Sequence, residues 1–216
     1  MRSYALDPHT YFFGNLVDAS SQLEFLHEFA SSLDAFLVEA AARPPSELAP
    51  LPDSVTVVAE DRAYLYSELF PPLVHEAFLI SSIIFLERQF RTYVEGLRQA
   101  LPTLLAFKEL SGSALERFRT FCQKVCLLDL GLSPEQWQDL DGLIALRNCL
   151  IHSGGFLEGS RDRASCENFV QRHGDPQIVE ERRVFSGSSS TLVLRLLTAT
   201  IEAIYHATLR QFPRKT

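Results

Sequence analysis

Between Pro72 and Pro102 the chain runs without a proline, and apolar residues recur at helical spacing through Leu73, Ala77, Ile80, Ile84 and Phe85 to Leu101. Proline suits the first turn of a helix and cannot sit in its interior, so Pro71-Pro72 opens this helix and Pro102 ends it. Its middle, Ala77 to Leu86, is apolar nearly all round, which predicts the central and most buried helix of a bundle. That apolar run is ten residues long and is bounded by Glu76 and by Glu87-Arg88. A bilayer needs about 20, so the run is not expected to span a membrane.

Other helices surround it. From Leu16 an apolar stripe passes through Leu23, Leu26, Phe29/Ala30, Leu33, Phe36/Leu37 and Ala40, and Pro44-Pro45 stops it. A connector rich in proline follows over 43–54, with Val55–Val58 as a short candidate strand. A third helix is expected over about Ser113–Leu128, carrying Leu115, Phe118, Phe121/Cys122 and Val125. The fourth has the clearest boundaries. Ser133-Pro134-Glu135-Gln136 supplies an N-cap, a proline at the first helical position and a glutamine that closes a capping box. Trp137, Leu140, Leu143/Ile144 and Leu150/Ile151 follow, and Gly154-Gly155 terminates. Residues 156–177 read as a polar loop. Ile178-Val179, Val184-Phe185 and Thr191–Leu194 suggest a small β-hairpin, and a last helix is expected over about Arg195–Phe212. The expected fold is a single all-α domain over 1–216, with an N-terminal helical region at 1–42, a core bundle at 70–212 and a β-hairpin decoration.

The chain has 216 residues, 46% hydrophobic and 22% charged, close to the globular average, and needs no disulfide or metal to fold. Its four cysteines show no ligand spacing, so no metal site is expected, and the thiols read as buried or idle in a reducing compartment. Met1–Pro8 lacks an apolar leader, which makes a cytoplasmic protein the expectation. A net charge of −7 is the wrong sign for coating nucleic acid through a global field. The charge is uneven, however: residues 1–86 carry three Arg against twelve acids, whereas 87–124 carry seven basic residues against four acids. Arginines of that second stretch can hold phosphate locally.

One segment carries chemistry: Leu146-Arg147-Asn148-Cys149-Leu150-Ile151-His152-Ser153, the last turns of the capped fourth helix. Asn148 and His152 are four apart and share a face. Arg147 lies about 140° from His152 on an ideal helix, so a long side chain or a second subunit must bring the two together. An imidazole can take the proton of a ribose 2′-hydroxyl or protonate a departing 5′-oxygen. A guanidinium can stabilise the charge gathering on the phosphorane-like transition state. Asn148 can orient the imidazole or hold a phosphate oxygen. Beside this stands a purely structural use, since Arg147 and His152 complement the negative end of the helix dipole and Asn148 can satisfy a carbonyl.

Arg147-Asn148-x-x-x-His152 resembles the R-x4-H signature, with its common Asn after the Arg, of the HEPN domains (higher eukaryotes and prokaryotes nucleotide-binding). The resemblance covers about residues 70–210, with a long amphipathic helix upstream that contains Phe85–Arg91. It implies an α-helical bundle, a homodimer in which two motifs meet at one cleft, and metal-independent endoribonuclease activity in toxin–antitoxin, abortive-infection or CRISPR-linked systems. RNA and an antitoxin would be partners, with no cofactor. Toxins paired with nucleotidyltransferase antitoxins often carry a Tyr two residues after the His. Gly154 stands there instead. Some HEPN domains serve as non-catalytic protein- or nucleotide-binding modules, which is the alternative. A transcriptional regulator is a third, without a basic recognition helix to support it. The catalytic candidates are therefore Arg147, Asn148 and His152, with Ser153, Glu87 and Arg88 as substrate-binding candidates. His9, His27, His75, His173 and His206 show no partner in the sequence.

Overall fold

The computed structural model describes residues 7–42, 64–101, 107–179 and 182–214. The connector at 43–54 and Val55–Val58 lie outside them. Helix α1 is Pro8–Ala42. Asp7 accepts a hydrogen bond from the Thr10 backbone N–H at 3.1 Å, and proline occupies the next position, the pattern of a capped first turn. Its buried residues Phe12, Leu16, Ala19, Leu23, Ala30 and Leu37 recur at three, four and seven, which draws one narrow seam.

A single wide turn, Leu65–Leu69, leads into α2, Phe70–Ala100, with Pro71 and Pro72 in its first turn. α2 lies against α1, α4 and α6. It is central, but the enclosure expected from composition is incomplete: Ile84 is 57% exposed and Ser81 also faces outward. The apolar middle presents a full girth, and the neighbours cover only part of it. The ten-residue apolar run belongs to a longer stretch. Both Leu65–Ala100 and Gly187–Gln211 contain windows apolar enough in length and composition to cross a bilayer, and 33% and 56% of those windows are buried in the bundle. The last helix is thus the more enclosed of the two.

Helix α3, Ala114–Thr120, begins with a complete Ser113/Glu116 capping box and widens into a turn at Phe121–Val125. Helix α4, Pro134–Ser153, has the expected Ser133/Gln136 box. It ends at Gly154, whose φ of 58° is left-handed. The Gly155 N–H reaches back to the Cys149 carbonyl at 3.2 Å, which closes the turn.

Two expectations are corrected beyond this point. Residues 156–177 are not all loop: Arg163–His173 forms helix α5. It is polar on every side but one, and there Cys166 and Phe169 are buried against α4. Gly142 makes that contact close, since a Cβ there would come within 2.4 Å of the Phe169 ring. The last helix, α6, is Gly187–Gln211, so Thr191–Leu194 are helical rather than extended. Strands β1, Gln177–Val179, and β2, Arg182–Val184, pair antiparallel with Ile178 opposite Arg183.

The described residues form a mostly helical, all-α bundle. Aromatic rings tie the helices together. Phe90 of α2 stacks on Phe118 of α3 at 4.0 Å, and Tyr93 meets Phe12, Phe118 and Tyr205 from three other helices. Each ring fully buried this way contributes about 2 kcal/mol through the area removed from water. Tyr93 and Tyr205 are pushed well above the ordinary phenol range, chiefly by burial, and stay protonated.

Candidate active site

The R-x4-H segment sits where α4 crosses α2. Arg147 points back toward α2, and its Nη2 donates to Glu87 Oε1 at 2.7 Å. Both side chains are about four-fifths buried (20% and 19% exposed). The other terminal nitrogen, Nη1, donates to Asn148 Oδ1 at 2.9 Å. Asn148 in turn donates through Nδ2 to Asp162 Oδ2 at 3.1 Å. Four side chains from α2, α4 and the residue capping α5 therefore form one chain of hydrogen bonds, with the guanidinium at its centre. The Arg147 Nε is buried and has no partner among the described residues. Its N–H is thus unused inside a low-dielectric setting, where a missing acceptor is costly.

His152, one turn and a half further along α4, is exposed and makes no hydrogen bond or ion pair among the described residues. The regular helix keeps it about 140° from Arg147. A single subunit therefore brings Arg147, Asn148 and Glu87 together but leaves His152 apart. Asn148 is engaged with Arg147 and Asp162; of the two roles open to it in the sequence, orienting the imidazole is not what it does here. Ser153 is half-buried in the last turn, and Arg88 is exposed beside Glu87. Glu87 is committed to the guanidinium and does not touch His152.

Sequence reasoning missed Asp162, hidden by the reading of 156–177 as loop. An Asp before an amphipathic Arg163–His173 was the available signal. It also missed Arg182. That side chain lies against the glycine stop, its Cγ 3.6 Å from where a Gly155 Cβ would stand, and its guanidinium is over the Phe156 ring at 5.9 Å. It donates to Glu76 Oε1 at 3.4 Å. Burial raises the Glu76 carboxyl, and Arg182 works against that rise.

Two histidines without visible partners in the sequence acquire them. His173 Nε2 lies 2.7 Å from Asp139 Oδ1. His75 is buried between Ser190 Oγ, 2.9 Å from its Nδ1, and Asp34 Oδ1, 3.2 Å from its Nε2. Desolvation lowers the His75 pKa, against the pull of Asp34 and Asp175. None of the four cysteines is in a disulfide; Cys122 is raised by burial and Cys126 is pushed up to about 11, so neither is a thiolate at neutral pH.

Comparison of the chain with protein-family models, with curated proteins and with solved structures returned no match.

Proposed function

We propose that the chain is a HEPN-like endoribonuclease that cleaves RNA by general acid–base chemistry. One observation carries the reading: on a single capped helix, a mostly buried guanidinium is held by two side chains with a fifth of its surface still exposed, while the motif's imidazole is left open to solvent. Arg147 is fixed through Glu87 and Asn148, the kind of support that a transition-state anchor requires. His152 is exposed, which leaves its imidazole within reach of a substrate proton. In the reaction, the ribose 2′-oxygen attacks phosphorus and the bond to the 5′-oxygen breaks. His152 accepts the 2′ proton or donates one to the leaving oxygen, and water makes the other transfer. The products are a 2′,3′-cyclic phosphate and a 5′-hydroxyl.

The angular separation of the two groups favours a homodimer, with Arg147 of one copy and His152 of the other facing a shared phosphodiester. Ile151 beside His152 and Ile84 on α2 are both exposed and supply apolar contact for such a pairing. On this reading Arg88, exposed beside Glu87, and Ser153, next after His152, hold phosphate oxygens. On this reading the protein is cytoplasmic, does not enter a membrane, and serves a toxin or phage-defence system in which an antitoxin is a further partner.

RNA incubated in EDTA with wild type, His152→Ala and Arg147→Ala is the test. Loss of cleavage in both variants, with cyclic-phosphate ends in the wild type, supports the reading, and equal cleavage by all three overturns it. A second reading has its own observation. The Arg147–Glu87 pair joins two helices as a structural ion pair does, and this favours a non-catalytic binding module. In that case wild-type protein leaves RNA intact but retains it, or a partner protein, in a stable complex.

A further inference from the structure

We propose that the outer face of α1 is a docking surface for a basic amphipathic helix of a partner protein. Phe25, Phe29 and Phe36 are 70%, 56% and 54% exposed. On an ideal helix they fall within an arc of about 40° and span about 17 Å, roughly 120° round from the buried seam. Their spacing, with Ser32 between the last two, is 25–29–32–36, the alternation of four and three along which a second helix lays its own apolar stripe.

The face does not stop at α1. Phe29 stacks on Phe78 of α2, and Phe36 meets Tyr66 edge-on, which in turn meets Phe70. Leu69 and Leu73, just beyond, are also exposed. Contiguous exposed aromatic surface of this extent marks an interaction site in a soluble protein.

Charge selects the occupant. Residues 7–42 contain six acids, Asp7, Asp18, Glu24, Glu28, Asp34 and Glu39, and no Lys or Arg. Glu24 and Glu28 are exposed beside the phenylalanines, and Glu68 is exposed at the foot of α2. A second copy laid on this face would set acids against acids, and nucleic acid would be repelled. A helix with leucine-like residues on one side and lysines or arginines on its flanks meets both demands.

The probe is a fluorescein-labelled Lys/Leu amphipathic peptide of about 18 residues, long enough to cover the ridge at 1.5 Å per residue, with a Glu/Leu peptide of the same pattern as control. Anisotropy titration of the full chain should show binding of the Lys/Leu peptide alone, weakening as salt rises. Phe25→Ser with Phe36→Ser should reduce affinity about tenfold or more, the loss expected for two aromatic anchors, and Glu24→Lys with Glu28→Lys should also weaken it. Phe25 makes no ring pair among the described residues, so Phe25→Ser alone keeps the fold and should already lower affinity. Binding unchanged by the phenylalanine variants would mean charge attraction without a docking face, and equal binding of the Glu/Leu peptide would mean the same. Sedimentation showing an oligomer that Phe25→Ser dissolves would assign the face to a second copy. Each of these results overturns the proposal.

Discussion

Two polar clusters lie along α2 and differ in what they leave free. Near its start, His75 is buried and closed on both ring nitrogens by residues of α1 and α6, of which Ser190 is buried and Asp34 is partly exposed. About half a turn past its middle, Glu87 holds Arg147, whose side chain keeps 20% exposure and whose two terminal nitrogens each carry an N–H beyond the bonds to Glu87 and Asn148, with His152 exposed on the same partner helix. A side chain whose hydrogen-bonding capacity is consumed by its own protein can only hold the fold. One with capacity left over can act on something else. By this criterion the Asp34–His75–Ser190 relay, which has the residue types of a hydrolase triad, is structural: Ser190 is buried and cannot meet a substrate.

The comparison breaks most sharply at the two histidines. His152→Ala should lower RNA cleavage by about 10²–10⁴-fold, the usual weight of a general acid or base, while the urea midpoint stays put. His75→Ala should do the reverse. It leaves the buried Ser190 without its partner and opens a cavity, so unfolding free energy should fall by about 2–3 kcal/mol in urea titration. If His75→Ala abolished cleavage with stability intact, the division between the clusters would be wrong.

Smaller effects sharpen it. Glu87→Gln preserves the shape of the contact but removes the charge, and should cost about 1–2 kcal/mol in the same titration, because the pair is mostly but not wholly withdrawn from water. The mildest effect is one of pH. The folded-state pKa of His75 is lowered by burial, so the unfolded chain binds a proton more readily than the folded one. Stability should therefore hold above about pH 6.5 and decline below it, by at most about 1.4 kcal/mol per pH unit from this group. The groups facing the ring are Asp34 from α1, Ser190 from α6 and Asp175 before β1. Comparing wild type with His75→Gln by thermal melts from pH 7 to 5 isolates the contribution: the variant's profile should be flatter.

The parts of the fold legible in the sequence were those fixed by neighbours a few residues away. The Ser133 cap and the Gly154-Gly155 stop could be read directly because the atoms that satisfy them lie within the same turn. Helix α5 could not. Only Cys166 and Phe169 carry it into the core, too few for a periodic signal, and its partner surface comes from α4. The serines that open α6 looked like loop for a similar reason: Ser188 and Ser189 donate to Asp175 and Ser190 meets His75, all contacts made across the fold. At the site, the identities of Arg147 and His152 were visible, whereas the binding of Asn148 to Asp162 depended on a helix that had gone unseen.

The missing side chain at Gly142 has a reach beyond local packing. The Phe169 ring seated in that notch sets how closely α5 approaches α4, and Asp162 stands immediately before the same α5. The grip on Asn148, and through it the aim of the Arg147 guanidinium, is thus tuned by a ring seven residues along the chain from that carboxylate. A single methyl at position 142 would act as a wedge, moving a cation it never touches.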